Sequence, residues 1–176
     1  SLEYLIRAFD IDGFRFDLGE LIGANFLELI EKRMKKIKPG LILIAEPWSF
    51  RGRLQNSMKK TGFTLWSDKC REEVFKFVKG EGNRTAIIDL LKGELNQNEN
   101  QWQSVNYIES HDDFTFIDRL SGGNELDNCL VRDETAKASM FAIIIVLLSP
   151  GVPMLSAGQD FFRNKKAFVS LTEVAT

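Results

Sequence analysis

The side chains best placed for chemistry are Arg15 and Asp17 in the run Ile11-Asp12-Gly13-Phe14-Arg15-Phe16-Asp17-Leu18, Glu46 in Glu46-Pro47-Trp48, and the pair His111-Asp112. Alternation along the first run sets Phe14 and Phe16 on one face of a strand and Gly13, Arg15 and Asp17 on the other. An arginine beside a carboxylate must be solvated, paired or used, because burying either alone is costly. Glu46 follows the apolar run Leu41-Ile42-Leu43-Ile44-Ala45, and His111-Asp112 follows the strand-like stretch Ser104 to Ile108. If Asp17 and Glu46 end neighbouring strands, about 4.8 Å apart, their carboxyl groups come within the ~5–5.5 Å used by retaining glycosidases. One carboxylate would then attack an anomeric carbon while the other protonates the leaving oxygen and later takes a proton from water. Arg15 would support Asp17, Asp112 and His111 would meet substrate hydroxyls, and Trp48 would offer an aromatic face to a sugar ring.

These residues have other uses. Arg15 and Asp17 could form a structural ion pair with Asp17 capping the next helix, Glu46 could be a solvated loop residue, and His111 a hydrogen-bonded core histidine. Trp48 or Trp66 could close the core. Asp113 and Asp118 read as solvated or capping groups, and Phe114, Phe116, Phe161 and Phe162 as core. Two carboxylates on parallel strands also suit a magnesium-dependent phosphoryl-transfer or enolase-type site.

Elements must bring these groups together. Leu2, Leu5, Ile6 and Phe9 have helical spacing and lead into a strand over 11–17. Phe26, Leu29, Ile30, Met34 and Ile37 mark a helix over 24–37 that Lys38-Pro39-Gly40 stops. The unbroken apolar run 41–45 suits a strand covered on both faces. A long loop is expected over 49–61, a strand over 63–66, and an amphipathic helix over 68–78 with Asp68 at its cap. A helix follows over 84–95, a surface loop over 96–103, a strand over 104–108, a helix over 133–148 and a strand over 152–156, which Pro153 weakens. Alternation of strand and helix predicts right-handed crossovers and a mainly parallel sheet. Its polar groups gather at strand C-terminal ends, where such folds build their sites.

The 176 residues are enough for one domain with a core, and 44% hydrophobic and 27% charged residues fit an ordinary globular chain. A net charge of −2 with mixed signs, and no basic patch interleaved with aromatics, argue against a nucleic-acid partner. The longest apolar run, 141–148, is too short to span a bilayer, so no membrane partner is expected. Cys70 and Cys129 lack disulfide or zinc spacing and read as free thiols. Ser1-Leu2-Glu3-Tyr4 opens no export signal, which leaves a cytoplasmic location as the expectation.

The motifs bear a family resemblance. Asp12-Gly13-Phe14-Arg15-Phe16-Asp17-Leu18 resembles the nucleophile-strand motif of the α-amylase superfamily, the family 13 glycoside hydrolases. Leu43-Ile44-Ala45-Glu46-Pro47-Trp48 resembles the acid/base motif of its debranching branch: isoamylases, bacterial glycogen debranching enzymes and pullulanases. Val105-Asn106-Tyr107-Ile108-Glu109-Ser110-His111-Asp112-Asp113-Phe114-Thr115 is similar to the third acidic motif, and 150–160 to the last barrel strand. The resemblance implies that Asp17 is the nucleophile, Glu46 the acid/base and Asp112 the transition-state stabiliser, with Arg15, His111 and Trp48 binding substrate. It implies an α-glucan substrate cleaved at α-1,6 branch linkages with retention and no organic cofactor; a structural calcium stays open, with no metal ligand assignable from the sequence. Glu20 and Leu21 stand where α-amylases usually carry Lys-His, which points away from α-1,4 endo-cleavage, and 167–176 do not resemble the expected substrate loop.

The implied fold class is α/β, a (β/α)8 TIM barrel. A full barrel has eight units and typically ~250 residues, so the chain reads as 1–176 of a partial catalytic barrel, about strands 4 to 8. The N-terminal strands and a C-terminal β-sandwich are expected to be absent, and open sheet edges predict self-association. A glucan-binding regulatory homologue, an α-1,4-acting amylase and a transglucosylase remain alternatives within this superfamily.

Overall fold

The computed structural model describes residues 1–50, 52–95, 100–122 and 133–165. Cys129, the loop reading of 96–99 and the tail over 167–176 lie outside the described residues. The chain divides into two compact units, Ser1–Trp66 with Gln97–Val105, and Ser67–Asn96 with Asn106–Thr176.

The first unit begins with α1 (Leu2–Phe9), which ends at Asp10 in the left-handed region, and β1 (Gly13–Phe16). A short α2 (Gly19–Ile22) and α3 (Ala24–Ile37) lead to β2 (Ile42–Ala45). β1 and β2 pair in parallel from Gly13 opposite Ile42 to Phe16 opposite Ala45. A Cβ on Gly13 would collide with the Ile42 carbonyl, so this close pairing needs glycine. Leu27, Ile30 and Met34 of α3 are buried in one cluster with Leu43 and Ala45, whereas Phe26 and Leu29 of the expected stripe are exposed. Lys35 and Lys36 in the last turn of α3 complement its dipole.

Ile42 is exposed as well, so β2 alternates instead of being covered on both faces: α3 packs on one side only. The expected long loop contains a two-stranded ribbon, β3 (Trp48–Ser49) antiparallel to β4 (Gly52–Arg53), and a short α4 (Gln55–Met58). β5 (Thr64–Ser67) pairs in parallel with β2, Ile44 opposite Thr64 and Ala45 opposite Leu65. In the sheet the order continues from β5 to β6 (Ser104–Asn106).

The second unit is mainly helical. α5 (Asp68–Val78) is capped by Ser67, not Asp68: the Cys70 N–H donates to Ser67 Oγ at 3.1 Å, a cap of a kind that contributes about 1 kcal/mol. α6 (Arg84–Lys92) is capped by Asn83, which accepts from the Thr85 N–H at 2.8 Å. α7 (Phe116–Leu120) carries a capping box between Thr115 and Asp118. α8 (Asp133–Leu148) packs on α5 and α7, burying Ala142, Ile145 and Val146.

Cys70 is fully buried within this core, and burial pushes its thiol up to about 12. The last strand, β7, is only Val152–Pro153, shorter than the 152–156 expected, and the Met154 N–H that follows it donates to the Asn106 carbonyl at 2.9 Å.

Candidate active site

Asp17 and Glu46 follow the last paired residues of β1 and β2, Phe16 and Ala45, and the Glu46 N–H donates to the Phe16 carbonyl at 3.0 Å. Register and parallel direction thus bring the two carboxylates to the same end of adjacent strands. Arg15, one alternation back on the Asp17 face, donates to both: Nη1 lies 2.7 Å from Asp17 Oδ1, and Nη2 bonds Glu46 Oε1. The second Glu46 oxygen accepts from the Leu18 N–H at 2.9 Å. The environments differ sharply, with the Asp17 side chain 65% exposed and that of Glu46 3% exposed. Asp17 does not cap α2, whose N-cap is Leu18.

Glu46 is therefore a buried, hydrogen-bonded group, not a solvated loop residue. Its backbone is held by Gly19: the Gly19 N–H donates to the Glu46 carbonyl at 3.1 Å. The Arg15 guanidinium lies over the Trp66 ring, 4.8 Å from its centre, and Trp48 meets Trp66 edge-on with ring centres 6.2 Å apart. Trp66 is buried and Trp48 half-buried. Trp66 thus supports the arginine, a role that sequence reasoning missed. Its only signal is its place at the end of the strand next to β2. Glu20 accepts from Ser49 Oγ beside this cluster.

His111 and Asp112 lie in the second unit, on the loop between β6 and α7. His111 Nε2 stands 3.3 Å from Asp112 Oδ1, and both side chains are exposed, which excludes the reading of His111 as a core residue. The Asp112 N–H donates to Ser110 Oγ at 3.2 Å. A cavity of about 240 Å³ opens beside them, lined by Arg71, Glu72, Glu109, Asp112, Phe114 and Arg119 among others. Of the phenylalanines expected in the core, Phe116 is buried, Phe162 half-buried, and Phe114 and Phe161 exposed. Asp118 is buried as a capping group, and Asp113 is exposed.

Glu109 is the residue here that sequence reasoning passed over. It is a buried carboxylate accepting from the Phe116 N–H at 2.7 Å and from Arg163 at 3.3 Å. Its signal is an acidic residue directly after Tyr107-Ile108, at the head of the polar run 110–113.

No family model matches the chain. Among curated proteins it is 27% identical to a pullulanase of Bacillus subtilis, over 93% of this chain and 26% of that protein. It is 31% identical to a glycogen debranching enzyme of Yersinia pestis, over 90% of this chain and 30% of that one. The solved structure of a pullulanase complexed with maltotriose, from Anoxybacillus sp. LM18-11, superposes with a TM-score of 0.76 at 27% identity, covering 94% of this chain and 26% of that chain. The chain spans between a quarter and a third of the length of these relatives.

Proposed function

Starting from a chain whose relatives fit the debranching branch of the α-amylase superfamily, we propose that the protein is a retaining glycoside hydrolase that cleaves α-1,6 branch linkages of glycogen, amylopectin or pullulan-type glucans. Its parallel sheet would belong to a (β/α)8 barrel, about strands 4 to 8. The observation that carries the reading is Arg15 bridging an exposed and a buried carboxylate at the same end of two adjacent parallel strands.

Asp17, the exposed member, attacks the anomeric carbon and forms a covalent glycosyl-enzyme. Glu46 gives its proton to the departing glycosidic oxygen, then takes one from the water that releases the sugar. Glu46 can carry that proton on one oxygen while the other still accepts a hydrogen bond, and the Arg15 guanidinium stays paired with Asp17. Asp112, with His111 beside it, holds substrate hydroxyls, and Trp48 stacks against a sugar ring.

The test uses the protein as its gene encodes it, incubated with pullulan and with branched glycogen while new reducing ends and released chain lengths are scored. Linear maltooligosaccharides should appear; Glu46→Gln should lower their release by about 10³-fold, within the range for loss of a general acid–base group, and Asp17→Asn, which removes the nucleophile, should abolish it, with both variants still folded. Activity retained by either variant overturns the assignment. Glucan binding without cleavage would favour a regulatory homologue.

A further inference from the structure

The segment that follows β7 clasps the loop bearing His111 and Asp112, and every contact of the clasp lies within the second unit. Lys165 Nζ donates to the His111 carbonyl at 2.8 Å and to the Asp113 carbonyl at 2.6 Å, the two carbonyls that bracket Asp112. The Lys165 N–H donates to Asp118 Oδ2 at 2.9 Å, tying the same residue to the start of α7. At the other end of the loop, Arg163 Nη2 meets Glu109 Oε1 at 3.3 Å while Ser156 Oγ donates to the Glu109 carbonyl at 3.2 Å.

Asp113 sits at φ +57°, in the left-handed region that aspartate enters more readily than most residues, and the Lys165 bond to its carbonyl is made in that conformation. The Asp112 side chain is exposed and meets His111 Nε2 at 3.3 Å, so its direction depends on the peptide planes on either side as well as on that neighbour. One ammonium group bonded to carbonyls on both sides of it fixes those planes together.

We infer that Lys165 and Arg163 are positioning residues that hold the His111–Asp112 loop in the geometry the reaction requires. The inference rests on the glucan reading for its catalytic part and on the hydrogen bonds alone for its structural part. Charge-assisted bonds to backbone carbonyls set orientation without touching substrate, and a displacement near 1 Å at such a group costs up to about 100-fold in rate.

The experiment compares wild type, Lys165→Met, Lys165→Arg and Arg163→Gln in the protein as encoded, with Asp17→Asn as the inactive control. Amide hydrogen exchange is followed over 110–114, with 68–78 as internal reference. Lys165→Met should speed exchange over 110–114 about fivefold or more by local opening and leave 68–78 unchanged. It should also lower kcat about 10- to 100-fold with little change in KM, and Lys165→Arg should restore most of both. Unchanged exchange in Lys165→Met overturns the clasp whatever the activity. Unchanged kcat in a protein whose wild type is active overturns the positioning role. A wild type without activity overturns the glucan reading instead, and the exchange data then decide the clasp alone.

Discussion

Arg15 is bonded to two carboxylates at once. The Arg15 guanidinium lies 4.8 Å from the centre of the Trp66 ring, a cation–π contact that adds to its two ion pairs in holding it between Asp17 and Glu46. The position of Glu46 in turn depends on Gly19. A Cβ there would lie 2.8 Å from the Glu46 carbonyl oxygen and 3.2 Å from Ala45 Cβ. That carbonyl cannot turn away without losing the Gly19 N–H. Gly19→Ala is therefore expected to destabilise the protein by about 1–3 kcal/mol, as overpacking does, and to reduce catalysis by displacing Glu46. Thermal melting and kcat on a branched glucan check this, and wild-type values for both would contradict it. That Arg15 and Asp17 share one face was legible in the sequence because period-two alternation acts over a few residues, whereas the place of Glu46 beside them followed only on the condition that their strands are neighbours. Trp66 under Arg15 was not legible, since a ring contact between residues 15 and 66 depends on sheet order, which local pattern does not carry.

At the scale of elements, the turn between α1 and β1 is tied to the end of α3 by one side chain. Lys38 Nζ donates to the Asp10 carbonyl at 3.0 Å and carboxylate at 2.9 Å, to the Ile11 carbonyl at 3.2 Å and to the Asp12 carboxylate at 2.7 Å. The bonds to Asp10 and Asp12 raise the ammonium above its ordinary range, and the Lys38 bond holds the Asp10 carboxyl below its own. A lowered carboxyl stabilises above its unfolded pKa, near 4, and loses that contribution as pH falls through the folded value. A raised ammonium stabilises below its unfolded pKa, near 10.4, and loses it as pH rises through the folded value. The melting-point gap between wild type and Lys38→Met should thus be widest around neutral pH and narrow at pH about 3 and about 11, and also in high salt. A gap independent of pH would show that only the carbonyl bonds matter. The helices over 24–37 and 68–78 follow the apolar spacing of the sequence and that over 133–148 follows its apolar run and the Ser149-Pro150-Gly151 stop, but the ribbon within 48–53 has no such signal, since two-residue strands are too short to show a period. The α5 cap moved from Asp68 to Ser67 because capping follows the residue whose backbone leaves the helix, not the most acidic neighbour.

At the scale of the whole molecule, the apolar surface left uncovered in each unit decides how the 176-residue polypeptide behaves alone. In the first unit β1 stands first in the sheet order, so one of its edges has no strand partner among the described residues. Beside it a groove of about 560 Å³ is lined by Leu2, Phe16, Ile22, Phe26, Leu29 and Met34. In the second unit α8 is apolar throughout from Met140 to Leu148 and exposes Phe141, Ile144, Leu147 and Leu148. Such surface exceeds the scattered apolar residues of a typical monomer, and an open strand edge adds unpaired backbone donors and acceptors. The polypeptide of 176 residues is expected to self-associate at micromolar concentration and to bind a hydrophobic dye in its folded state. Size-exclusion chromatography with light scattering checks this, and a monodisperse monomer that melts cooperatively would contradict it. The same measurement on the protein as encoded separates two causes. Association of both means that these faces are interfaces between copies, whereas a monomer in the second case means that other parts of the protein cover them.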